Sequence, residues 1–252
     1  MTGEAGERDG RIDCRQCPLL GCEGLRPLDA DELDYMNGFK QGELSLDRGT
    51  SVIEQGAQSP HIFTVLDGIL MRYRTLEDGR RQIVNFMFPG DLIGLQSAVH
   101  EPASHSVEAV SAARLCVFPR DGFVDLIADK PALGYDVVWL AAREERALEE
   151  HIISLGQRDA QEKVVSLAVF LLQRAKDTGL ADDSNRLRVR ITQGQIADML
   201  GLSVVHTNRT MQSLRSSDII RWTQDEIVVP DMDAAREFSA SLELAHVPRP
   251  FL

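Results

Sequence analysis

Between Leu44 and Phe118 the apolar residues fall in short alternating runs, broken by Gly49, Gly56, Gly68, Gly79, Gly90 and Gly94 at irregular spacing. Alternation with a period of two buries one face of a strand, and glycine supplies the backbone freedom of a tight turn, so this stretch predicts many short strands. Ile62–Leu66, Ile69–Arg74 and Gln82–Phe88 are the clearest, and Glu77-Asp78-Gly79 is a hairpin turn between two of them. Strands of this length and spacing predict a small barrel or jelly roll. Ahead of it a helical pattern runs from Asp29 to Phe39. Residues 1–24 read as a mobile leader, Gly-rich, polar and without periodicity.

The period changes at Pro131. From there to Gly156 no residue after Gly134 breaks a helix, and Val138, Ala141, Glu145, Leu148, Ile152 and Leu155 alternate steps of three and four. This is a seam. It packs either on the chain's own barrel or on the same helix of a second copy, and the length of the helix and the polarity of its other faces favour a homodimer. Glu145 is anomalous there, because two desolvated carboxylates disfavour association unless Arg146 or His151 answers them, which predicts a marginal dimer. A second helix follows from Asp159 to Lys176, then a polar loop over residues 182–185 and a strand from Arg186 to Ile191.

Thr192 and Gln195 form a capping-box pattern ahead of Ile196, Ala197, Met199 and Leu200, with Gln193 at the helix start. Gly201 ends that helix and Ser203 caps the next, Val204 to Arg215, which together predict a helix-turn-helix. On the second helix Val204, Thr207, Met211 and Leu214 should face the core, leaving Val205, Asn208, Arg209 and Gln212 outward. Asparagine, arginine and glutamine can bond base edges bidentately and a valine can meet a thymine methyl. His206, Thr210 and Ser213 flank them as candidates for phosphates. Ile219–Trp222 and Glu226–Val229 around Thr223-Gln224-Asp225 predict the hairpin of a winged helix.

Charge sharpens this picture. The chain of 252 residues carries 27 Lys plus Arg against 39 Asp plus Glu, a net charge of −12. Between Asn185 and Trp222, however, six arginines face two aspartates, or +4, which leaves −16 for the remainder. A local basic segment on an acidic body suits a DNA-binding module, the body limiting non-specific attachment. At 43% hydrophobic and 26% charged the composition excludes disorder, collagen and a disulfide scaffold. The longest apolar stretch, Val164–Leu172, is far short of the roughly 17 to 25 residues of a membrane span, and the polar start is no signal peptide. A cytoplasmic protein is expected, its four cysteines free thiols or metal ligands.

Barrel, long helix and winged helix-turn-helix in that order resemble the Crp/Fnr superfamily of bacterial transcription regulators. The segments that carry the resemblance are VLDGIL around Gly68, FPGDLIGL from Phe88 to Leu95, LCVFPRDGF from Leu115 to Phe123 and ITQGQIADMLGLSVVHTNRTMQSL from Ile191 to Leu214. It implies an α+β protein made of a cysteine-bearing leader (1–27), a cyclic-nucleotide-binding-like β-roll (28–130), a long dimerisation helix (131–157) and a winged helix-turn-helix domain (158–252). It further implies a homodimer on near-palindromic double-stranded DNA, with half-sites one helical turn apart. RNA polymerase is a further partner of such a regulator, although the acidic residues of the barrel look like ordinary solvated surface. In the cyclic-nucleotide branch a glutamate holds the ribose and an Arg-Ser pair the phosphate. Leu95 and His105-Ser106 stand in those places, so the phosphate loses its strongest partner and cyclic AMP is not expected.

Cys14, Cys17 and Cys22, a C-x2-C-x4-C cluster, together with Cys116, are similar to the ligand set of the oxygen-sensing Fnr branch. The resemblance implies a [4Fe-4S] cluster that controls dimerisation. Zinc, a thiol redox switch or another effector would satisfy the same residues, and Cys116 alone reads equally as a small buried hydrophobe. The chain departs from the pattern in the shorter second spacing, in Pro18 directly after Cys17, and in Val205 and Asn208 where Glu and Ser are usual before Arg209. An enzyme is not expected. A thiol oxidoreductase or metalloenzyme built on C-x2-C would need a nearby acid or base, and the leader offers only Asp13, Arg15 and Glu23.

Overall fold

The computed structural model describes residues 12–99, 101–241 and 247–252; the first eleven residues of the predicted leader lie outside the described residues. Helix α1 (Ala30–Phe39) starts at a capping box between Asp29 and Glu32, as the helical pattern there predicts. Eight strands follow: β1 (Gly42–Leu46), β2 (Ser51–Ile53), β3 (His61–Asp67), β4 (Leu70–Thr75), β5 (Arg81–Met87), β6 (Leu92–Ile93), and, after the short helix α2 (Leu95–Ala98), β7 (Ser106–Ala109) and β8 (Ala113–Pro119). They form two four-stranded antiparallel sheets, ordered β1-β8-β3-β6 and β2-β7-β4-β5, which close over Phe63, Val65, Leu70, Val107 and Leu115. Strands β4 and β5 pair through the predicted turn, where Gly79 takes φ 84°. At Gly68, with φ 86°, a Cβ would stand 2.3 Å from the Ala112 carbonyl oxygen, so the crossing from one sheet to the other requires glycine.

After α3 (Phe123–Asp129) comes the long helix α4 (Pro131–Gln157), with proline in its first turn where no amide partner is missed. Its first half buries Leu133, Val137 and Leu140. On its inner side Glu144 pairs with Arg72 of β4 and accepts from Asn85 of β5 at 3.1 Å. Helix α5 (Ala160–Asp177) begins at a second capping box, Asp159 with Glu162. Then come β9 (Ala181–Asp182), β10 (Arg186–Arg188), α6 (Gln193–Leu200), α7 (Val204–Leu214), β11 (Arg221–Trp222), β12 (Glu226–Val228) and α8 (Met232–Phe238). The wing hairpin β11–β12 is extended by β10 and β9 into one sheet. The strand predicted over Arg186–Ile191 stops at Arg188, where its pairing with β12 ends, although Leu187, Val189 and Ile191 keep the predicted alternation of buried positions up to α6. No described helix is long and apolar enough to cross a membrane.

A single apolar core joins the two halves of the chain. Met71, Phe86 and Phe88 of the β-roll pack with Val164, Leu171 and Leu172 of α5, Ile196 of α6 and Leu214 of α7. Beside it lies a buried ionic node: Asp91 accepts from Phe88 N at 2.8 Å and pairs with Arg174 of α5 at 2.7 Å and with Arg249 at 2.6 Å. Burial alone would raise the Asp91 carboxyl; the two guanidinium groups and the backbone bond outweigh it and hold the group below its ordinary value.

The leader is not a loose segment over its described residues, contrary to the sequence expectation. Cys14–Gln16 and Pro18–Gly21 form two single turns, Leu19 and Leu25 are buried, and Gly24 N donates to the Asp177 carbonyl at 3.1 Å. Two leucines and a glycine that lets α5 approach suffice to dock a segment whose composition is otherwise that of a flexible one.

Asp91→Asn would leave two guanidinium groups facing a neutral amide in a buried site, and should lower the unfolding free energy by about 3 to 5 kcal/mol in urea titration. Because the folded carboxyl is depressed, its contribution is present above its unfolded value, about pH 4, and is lost as pH falls below it. The acid-side slope of stability should therefore be shallower in Asp91→Asn, and an unchanged slope would remove the node from the account.

Candidate nucleic-acid interface and cysteine centre

The two helices of the turn motif are fixed by their ends. Thr192 Oγ1 accepts from Gln195 N at 3.2 Å, and Gln195 Oε1 accepts from Thr192 N at 2.8 Å, the predicted capping box. The same Gln195 side chain donates to Met71 Sδ at 3.4 Å, which ties the start of α6 to β4. Gly201 adopts the left-handed conformation at φ 64°, and Ser203 Oγ accepts from His206 N at 3.2 Å to start α7.

Helix α7 buries one stripe, Thr207, Thr210, Met211 and Leu214, at the i, i+3, i+4, i+7 spacing of a helix face. Val205, His206, Asn208, Arg209, Gln212 and Ser213 are exposed, as are Thr192, Gln193 and Ser203 at the helix starts. Two expectations require correction. Val204, assigned to the core, is 53% exposed, because the first residue of α7 projects past the end of the apolar stripe. Thr210, assigned to phosphate contact, is buried and donates to the His206 carbonyl at 3.0 Å, so its hydroxyl is spent inside the helix. Arg188, Arg190, Arg215 and Arg221 of the same domain are also exposed. A helix with an outward row of amide, guanidinium and methyl groups, capped by a serine and flanked by arginines, has the chemistry to enter a major groove.

On α4 the predicted seam divides. Val138 and Ile152 are 64% and 67% exposed, Ala141 and Glu145 are also exposed, and Leu148 and Leu155 turn part-way toward the chain's own body, Leu155 toward Gly201. Tyr135 and Ile153 add apolar surface to the outward side. His151 does not answer Glu145: it is half-buried against the chain's own α5, with burial pulling its pKa down, and it faces Ser154, Arg158 and Ser166. Arg146 is exposed beside Glu145 and is the cation in reach of that face.

The structure brings three of the four cysteines to one place. Cys14, Cys17 and Cys116 line an apolar hollow with Leu19, Met36, Phe118, Phe251 and Leu252. Cys22 does not line the hollow, but it packs on the same apolar cluster and bears on Cys17, with its thiol 3.5 Å from the Thr178 carbonyl at the end of α5. As they stand the four sulfurs do not form a preformed ligand set, and no group of three His, Cys, Asp or Glu among the described residues is arranged to hold a metal ion. Burial raises the Cys17 thiol and pushes Cys116 up to about 12, against the opposing charge of Lys40. Cys17 and Cys116 are thus held as thiols, and any metal bound there must displace their protons. Lys40 was not legible as part of this centre. It is buried, donates to Glu43 at 2.7 Å and to the Ile12 carbonyl at 2.9 Å, and is the cation whose field reaches Cys17 and Cys116.

In the β-roll, Leu95 opens α2, while Ser106 accepts from Gln55 N at 2.9 Å and contacts Glu54. Burial and the nearby Arg72 bring the His105 imidazole down to about 4, so it is neutral at pH 7. Arg72 itself is engaged by Glu144.

Residues 43–130 match the cyclic nucleotide-binding domain, and residues 166–238 the Crp-like helix-turn-helix domain. The chain is 31% identical over 202 residues to the nitrogen fixation regulation protein FixK of Bradyrhizobium diazoefficiens, covering 80% of this chain and 83% of that one. It is 23% identical over 245 residues to an anaerobic regulatory protein of Haemophilus influenzae, covering 94% and 95%. Among solved structures, FixK2 from Bradyrhizobium japonicum superposes with a TM-score of 0.68 at 24% identity, covering 80% of this chain and 98% of that one. With a cyclic nucleotide-binding-type β-roll, a long helix and a Crp-like helix-turn-helix in that order, the chain belongs to the Crp/Fnr family of DNA-binding transcription regulators.

Proposed function

We propose that the protein binds a near-palindromic DNA site as a homodimer in the cytoplasm and responds to oxygen or redox state through its cysteines. The observation that carries the DNA reading to residues is the outward row Val205, Asn208, Arg209 and Gln212 on α7, with Thr192, Gln193, Ser203 and His206 positioned for the backbone. The exposed apolar side of α4 supports pairing of two copies through Val138, Ala141, Glu145 and Ile152, with Leu148 and Leu155 at its margin. Two-fold symmetry would then set the half-sites about 34 Å apart. Cyclic AMP is not the proposed effector, since Leu95, His105 and Ser106 offer its phosphate no free cation.

Cys14, Cys17, Cys22 and Cys116 are the proposed sensing residues, with a [4Fe-4S] cluster as the cofactor that four thiolates would hold. The anaerobic regulatory protein among the relatives supports the oxygen reading. A second reading, zinc or a thiol switch at the same four cysteines, draws on Cys22 lining no part of the hollow shared by Cys14, Cys17 and Cys116.

Protein purified without oxygen should be brown, carry about four irons per chain and bleach in air, while Cys116→Ser should be colourless. A colourless protein with zinc or no metal would leave DNA binding intact and remove the cluster. Arg209→Ala should weaken binding by about 1 to 3 kcal/mol at one base pair of each half-site and relax specificity there; an equal loss on every sequence would assign Arg209 to phosphate. Glu145→Leu should raise the dimer fraction in sedimentation, because it removes a like-charge pair from a desolvated seam, and unchanged sedimentation would take Glu145 out of the interface.

A further inference from the structure

The wall of the cysteine hollow is completed by the far end of the sequence. Residues that follow α8 return to the leader: Arg249 N donates to the Gly24 carbonyl at 2.8 Å and Arg26 N to the Arg249 carbonyl at 2.8 Å, a parallel bridge between Leu25 and Arg249. Phe251 and Leu252 are 2% and 6% exposed and pack with Leu19, Leu25, Cys116 and Phe118. They line the same hollow as Cys14, Cys17 and Cys116. Arg249 closes the ionic node on Asp91, which also holds Arg174 of α5. Leu25 and Phe251 pack closely on Gly90, where a Cβ would stand 3.1 Å from Leu25 and 3.6 Å from Phe251.

We infer that residues Arg249–Leu252 form a lid over the cysteine hollow, and that this lid is the element through which the thiols and the DNA-binding domain act on each other. Three facts make the coupling physical. The lid belongs to the same run of chain as α8, which packs on α5, and Phe251 and Leu252 are the only part of that run found in the hollow among the described residues. Two apolar side chains fill space that anything entering the hollow would contest. The carboxylate anchoring the lid is the one anchoring α5, so lifting Arg249 also removes half of the charge that answers Asp91. Coupling of this kind is reciprocal: a lid that protects the thiols is disfavoured, by the same free energy, by whatever enlarges them. The lid follows from the packing alone; its regulatory meaning rests on the cysteines being the sensing residues.

The test uses the full chain, reduced and metal-free. Alkylation of Cys17 and Cys116 by iodoacetamide is followed by peptide mass in the parent protein, Phe251→Ala, the double variant Phe251→Ala/Leu252→Ala and Val247→Ala, whose side chain is exposed outside the hollow. Amide exchange of β3 and β8 reports whether the β-roll remains folded. Both thiols should react at least about tenfold faster in the two lid variants than in the parent or Val247→Ala, with exchange of β3 and β8 unchanged. Exchange at Asp177 and Thr178 should rise in the same variants. Equal rates in all four proteins would overturn the lid, and so would equal acceleration in Val247→Ala, which would mark general loosening. The sensing reading is tested separately by adding zinc, or iron with sulfide, to the parent and following the same exchange. A lid that protects the thiols yet ignores both additions would stand as a lid while the sensing reading fell.

Discussion

Asp91 with its two arginines is the constraint on which the arrangement of the halves depends. A carboxylate removed from water is costly unless it is fully paired, and here one guanidinium comes from α5 and the other from the segment beside the leader. The β-roll, helix α5 and the returning chain therefore cannot separate without exposing or stranding charge. Arg174 also lies over the Phe88 ring, 5.6 Å from its centre, so the same side chain joins the ionic node to the shared apolar core.

Around that node the ties run in parallel. Arg81 pairs with Asp198 at 2.8 Å, and Gln82 donates to the Met199 carbonyl at 3.0 Å, so the β4–β5 hairpin grips α6. On the other side Gly24 and Cys22 meet the end of α5. The helix-turn-helix domain is thus tied to the β-roll along α6 and to the leader at the end of α5. Movement of the leader reaches α5 without passing through the long helix.

Most of the fold was legible because its local signals agree with its packing. Strand alternation, glycine turns and the Thr192–Gln195 capping box each mark their own boundaries, and the outward row of α7 follows from counting by 3.6. What escaped the sequence is non-local. Nothing near Arg249 announces that it will pair with Asp91, and the leader's two buried leucines are too few to register against its glycines. The cysteine pattern identified four residues but not that Cys22 turns to Thr178 while three share a hollow, since that depends on where α5 ends. Val204 and Thr210 were misassigned for a simpler reason: a stripe counted in threes and sevens drifts from the true face, and the first residue of a helix has no preceding turn to pack against.

Helix α7 separates its duties by side. Thr207, Thr210, Met211 and Leu214 are its buried residues, while Val205, Asn208, Arg209 and Gln212 are exposed. Exchanging any of the latter group leaves the core volume, the caps and the ties to the β-roll as they were. A substitution in that outward row therefore changes what the helix presents to its surroundings while the fold beneath it stays the same.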